Sequence, residues 1–146
     1  MFLFSGHMID APGRPEPRFP PDKEPVAAKA ISHTLDTLEA GTQDFALCGG
    51  ACGGDLLFAE ACLDRGLRLE VHIPFDVPTF LAKSVTFAGE SWRERFFRAI
   101  GQPGSGLLIL PDQSNLSVEG ASPYERNNLW LLDTAMAYGP EKLHLI

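Results

Sequence analysis

Cysteine is scarce and odd in number: Cys48, Cys52 and Cys62 are the three in 146 residues. An odd count argues against a disulfide framework and fits a reducing, cytoplasmic setting. Long apolar runs are lacking as well. No stretch approaches the ~20 apolar residues of a membrane span. The N-terminal MFLFSGHMID is too short an apolar run for a signal peptide and has no basic leader. Positive charge is in deficit, with 12 Lys and Arg against 19 Asp and Glu, a net −7. Nucleic acid and membrane are therefore not expected as partners, since both call for a basic footprint. No internal repeat or coiled-coil heptad is visible.

What is present is globular, 45% hydrophobic and 21% charged. The length suits one domain, 1–146, with a single sizeable core. The chain ends on KLHLI, a strand pattern, which suggests one domain of a longer protein.

Apolar strand patterns alternate with helical ones. Strands are expected at 2–5, 45–48, 67–75, 106–111 and 142–146. Helices are expected at 25–40, from Asp55 to near Gly66, at 77–87, 91–101 and 123–138. Residues 8–24 are rich in proline, which removes amide donors and forces extended neighbours. They read as a long ordered loop or a flap. Such alternation means a five-stranded, mainly parallel sheet covered on both sides. Strand three alternates apolar and polar residues and reads as an edge. GLLIL is uniformly apolar and reads as interior. The order expected is 3-2-1-4-5, with a crevice at the carboxyl ends of strands one and four. Three loops converge there: SGHMID, CGGACGG and LPDQSNLSVEG.

CGGACGG, residues 48–54, places four glycines between a strand and a helix start. Gly49, Gly50, Gly53 and Gly54 allow either a tight packing turn or the close approach of an anion to free helix amides. The spacing is neither GxGxxG nor a P-loop. Asp55 reads as the helix N-cap, bonding the Phe58 amide, or as a partner for a ribose hydroxyl. Cys48 and Cys52 lack the spacing of a metal set and read as core; no metal is expected.

Ser122, Pro123 and Glu125 form a capping box with proline at the first helical position. Arg126 opposes the helix dipole in the first turn, which is offset either by Glu125 or Asp133 on the surface or by an anion held at the helix start. Asn127 and Asn128 add donors and acceptors. Ser5, Gly6 and His7 supply a hydroxyl, backbone amides and an imidazole from the other side of the crevice. Arg14 and Arg18 on the proline-rich segment are each able to clamp a phosphate.

These motifs together resemble the SLOG superfamily: strand-SGH, strand-GGxxGG-D-helix and an LP-loop-ERNN-W helix. That superfamily includes the LOG ("lysine decarboxylase-like") nucleoside monophosphate phosphoribohydrolases and related nucleotide-sensing domains. The likeness runs from Phe2 to Ile146, and ERNNLWLLDTA looks like a subset fused to other modules in bacterial proteins. It implies a Rossmann-like three-layer sandwich with a nucleotide-type ligand, its phosphate held by the glycine loop and its other side lined by Ser5 and Gly6. The PGGxGTxxE motif of LOG enzymes is replaced here by PDQSNLSVEGASPYERNN, without the glycine pair and threonine.

Three readings follow. The first is a sensor or regulatory domain binding a nucleotide-type anion through Ser5, Gly6, His7, the four glycines, Asp55, Arg126, Asn127 and Asn128, with no other cofactor. The second is a nucleotide N-glycosidase, with Glu125 at the ribosyl centre and His7 protonating the leaving base. The third is an interaction module without a small ligand, pairing with a second copy through Trp92, Phe96, Phe97 and Trp130; fused signalling domains are a further expected partner of the chain.

Overall fold

The computed structural model describes residues 1–111 and 120–146. Its strands are β1 (Phe2–Leu3), β2 (Phe45–Cys48), β3 (Arg68–Ile73), β4 (Ser105–Ile109) and β5 (His144–Leu145). The helices between them are α1 (Glu24–Thr37), α2 (Gly54–Leu63), α3 (Val77–Ser84), α4 (Glu90–Ile100) and α5 (Pro123–Ala137). The result is an α/β, Rossmann-like three-layer sandwich around a five-stranded sheet whose named strands all pair in parallel.

Side-chain alternation divides the core into two faces. Phe2, Ala46, Cys48, Leu69, Val71 and Ile73 point to one face and join the larger core with residues of α1 to α4. Leu3 and Leu47 point to the other, where Leu131 and Ala135 of α5 cover them. Helix α2 is apolar on nearly every side and buries Leu56, Leu57, Phe58, Ala59 and Cys62. A helix with no polar face has to lie centrally, and α2 packs against α1, α4, β2 and β3. The Phe4 and Phe58 rings stack at 4.9 Å. Arg95 ties α4 to its neighbours through Glu24 of α1 (2.7 Å) and Glu60 of α2 (2.6 Å).

The strand order is β4-β3-β2-β1-β5. The contiguous block 3-2-1 is as expected, but β4 lies outside β3 rather than beside β1, and β5 takes the place beside β1. The alternation of β3 has a different cause from an edge position. Its polar residues face α5, where His72 is buried against the Trp130 ring at 4.0 Å. The uniform run of β4 is the edge instead, leaving Leu108 40% and Ile109 46% exposed. With this order the topological reversal falls between β1 and β5.

Trp92 and Phe96, considered above as interface residues, are core side chains at 5% and 0% exposure, because they form the inner stripe of α4. Phe97 is exposed. Residues 8–20 are an irregular loop held in place by its own bonds. The Asp10 carboxylate accepts the amides of Arg18 and Phe19, both at 2.8 Å, and Ile9 and Phe19 are buried. Among the described residues, no helix is long and apolar enough to cross a membrane.

Helix α2 closes on Gly66 at φ +75°, where the amide of Leu67 turns back to the Cys62 carbonyl. An alanine there takes a left-handed conformation and meets the Thr42 side chain, which is free to turn aside. We expect Gly66→Ala to cost about 1–2 kcal/mol in urea denaturation, the usual strain of that region.

Candidate functional site

Parallel strands end on one edge of the sheet, so the loops after β1, β2 and β3 must meet there. They enclose a cavity of about 440 Å³, lined by Ser5, Gly6 and His7 after β1, Gly49 and Ala51 after β2, and Pro74 after β3. The first turn of α5 adds Tyr124, Asn127 and Asn128 from the opposite layer, and Asp55, Phe80 and Arg18 complete the polar and aromatic walls. The volume is that of a small-ligand site.

The glycine loop has a packing role. An added Cβ on Gly50 would lie 2.5 Å from Val71, and one on Gly54 would lie 2.9 Å from the Phe4 ring. Gly53 is crossed by the backbone of residues 7–9, with the Ile9 amide bonding the Cys52 carbonyl at 3.1 Å and the Gly54 amide bonding the His7 carbonyl at 3.0 Å. Of the four glycines expected to cradle phosphate, only Gly49 lines the cavity. The other three are small because the Val71 side chain, the Phe4 ring and the backbone of residues 7–9 fill the space.

Asp55 is not the N-cap. Gly53 holds that position, and Asp55 is the second residue of α2. Its carboxylate accepts the Gly6 amide at 3.3 Å and the Ala51 amide at 3.2 Å. It thus occupies the anion position that the loop amides were expected to offer. Burial pushes its pKa up to about 6, against the pull of those two amides. A carboxylate with two donors bound still has acceptor capacity. An anionic phosphate beside it is unfavourable; a hydroxyl or amine donor is favourable.

The start of α5 divides its residues by role. Ser122 and Glu125 form the capping box: the Ser122 hydroxyl accepts the Glu125 amide and the Glu125 carboxylate accepts the Ser122 amide at 2.7 Å. These bonds hold the Glu125 carboxyl below its usual range. Neither Glu125, which is exposed, nor Arg126, which is half-buried, is among the described residues that line the cavity. Asn127 is buried at 3% exposure and donates to the His72 carbonyl at 2.8 Å. Among the described residues its Oδ1 has no partner, an unusual state for a buried acceptor. Asn128 is exposed and borders the same cavity.

Sequence reasoning missed Tyr124 and Phe80. The Tyr124 hydroxyl bonds the buried Ser84 hydroxyl at 3.0 Å, joining α5 to α3 across the cavity. Tyr124 lay inside SPYERNN and was legible as a neighbour of the cap; nothing in the sequence marked Phe80. The stretch 112–119, expected as the third converging loop, lies outside the described residues. Burial raises the thiols of Cys52 and Cys62 to about 12, so they stay protonated. No group of three metal-ligating side chains comes together among the described residues. Comparison with protein-family models and with curated proteins gave no match.

Proposed function

We propose that this domain binds a small nucleotide-type ligand in the cavity at the carboxyl edge of its sheet, as a sensor or regulatory module. The observation that carries this reading is the meeting, around one cavity, of Asp55, a buried carboxylate with acceptor capacity to spare, and Asn127, whose Oδ1 has no partner among the described residues. Sugar hydroxyls and base amines are donors that satisfy such groups, and the exposed Tyr124 ring offers apolar surface to a base. The resemblance to SLOG domains supports the same ligand class. A thermal-shift screen of nucleosides and nucleotides tests it. We expect at least one compound at ~100-fold its Kd to add ~2.7 kcal/mol, a rise of roughly 5–10 °C. A flat response to the whole panel at millimolar concentration sinks the proposal.

One observation keeps a second reading. A hydrolase needs a carboxylate facing its substrate; Glu125 does not face the cavity, while Asp55 does, with a pKa of about 6. Release of free base from a nucleotide during the same incubation, lost in Asp55→Asn, marks this reading.

A further inference from the structure

The cavity has a polarity. Its buried wall holds acceptors, and its exposed rim carries Arg18. Beyond Arg18 a second cavity of about 360 Å³ adjoins the first, sharing His7, Met8 and Arg18 with it and adding Arg14 and Lys83. The carboxylate on its lining is Asp10, which lies 3.4 Å from Arg14 Nε and offsets that charge. Arg18 and Lys83 are left with no ion pair to a carboxylate among the described residues, in a chain of net charge −7. Arg18 is held by its backbone and Lys83 by its ammonium head. The Arg18 backbone amide is fixed by Asp10 at 2.8 Å, and Lys83 Nζ sits over the Phe75 ring at 4.6 Å. Anchored cations lose less freedom on meeting an anion than free ones.

We propose that Arg18 and Lys83 form an anion subsite, so that a phosphorylated ligand lies with its phosphate at the proline-rich loop and its hydroxyl-bearing end at Asp55 and Asn127. This rests on the binding reading above and gives it a direction. The ligand runs opposite to one whose phosphate sits on the glycine loop and the α2 amides. The chemical class is a phosphomonoester of a polyhydroxylated or amine-bearing molecule, of which nucleoside monophosphates are the natural probes.

The test is calorimetry with the four ribonucleosides and their 5′-monophosphates, on the intact chain and on Arg18→Ala/Lys83→Ala. Both side chains are exposed, so the double variant should fold, which an unchanged melting temperature checks. We expect a monophosphate to bind at least about tenfold more tightly than its nucleoside. The double variant should lose about ten- to a hundredfold for the monophosphate, the range of charge-assisted hydrogen bonds, and Lys83→Ala alone, at a residue that lines only the second cavity, should weaken the monophosphate at least about threefold and stay within about twofold for the nucleoside. Nucleoside binding with no phosphate increment, or an increment that survives in the double variant, overturns the subsite and leaves the binding reading standing. Absence of binding by either set overturns both.

Discussion

Gly53→Ala should cost roughly 4 kcal/mol or more and abolish ligand binding with it. Gly53 stands at φ +100° and ψ −130°, a conformation open to glycine alone. A Cβ built there lies 2.6 Å from the Ile9 nitrogen and 2.7 Å from the His7 carbonyl oxygen. Both are backbone atoms, unable to rotate aside as the Thr42 methyl does beside Gly66. Relief requires lifting residues 7–9 off the loop, which breaks the Ile9–Cys52 and Gly54–His7 hydrogen bonds. It also uncovers Ile9, buried at 4% exposure. Backbone strain of ~1–3 kcal/mol and two lost hydrogen bonds of ~1 kcal/mol each give the size. The midpoint of urea denaturation measures it against Gly66→Ala. A loss as small as that of Gly66→Ala would show that residues 7–9 yield freely and are not part of the scaffold of the site.

That crossing of residues 7–9 over Gly53 also explains what the sequence did and did not disclose. CGGACGG is legible as a place with no room for side chains, but spacing along the chain does not encode which atoms fill the room. Here they are the Asp55 carboxylate, the Val71 side chain, the Phe4 ring and another stretch of backbone. The elements were legible because periodicity is local: β2 and the sequence of helices fall where the patterns put them. The neighbour of each strand was not. A strand's side-chain pattern reports what covers its faces, and β3 is polar toward α5 although it lies inside the sheet. The residues that line the cavity followed from a general rule, that ligands meet parallel sheets at the carboxyl ends. This rule reached Ser5, Gly6, His7, Gly49, Asp55, Asn127 and Asn128. Phe80 and Lys83 come from α3, whose approach to the cavity is a tertiary matter without a local signature.

Asp55 sets the second large effect, which is a pH dependence. Its carboxyl has a folded-state pKa of about 6 against an ordinary 3.8, raised by burial. The folded chain therefore holds this proton more tightly than the unfolded one. Stability from the group is complete below about pH 3.8 and falls as the pH climbs through 6. The loss amounts to about 3 kcal/mol, because each pH step between the two values is worth ~1.36 kcal/mol. His72 acts in the opposite direction. Burial lowers its pKa, so its contribution is present above 6.5 and declines as the pH falls. The difference between the wild type and Asp55→Asn removes the His72 contribution. We expect that difference, followed by urea denaturation from pH 4 to 8, to shift by about 3 kcal/mol in favour of the variant as the pH rises. The asparagine amide can accept only one of the Gly6 and Ala51 donors well, which offsets the curve by ~1 kcal/mol without changing its slope. Ligand affinity should run the other way. A hydroxyl donor bonds the ionised carboxylate more strongly, so binding should tighten by about tenfold between pH 5 and 7 and lose that slope in Asp55→Asn. Parallel stability curves for the two proteins would show that Asp55 is ionised at all these pH values. The carboxylate would then be a fixed charge in the cavity wall rather than a group whose proton and ligand compete.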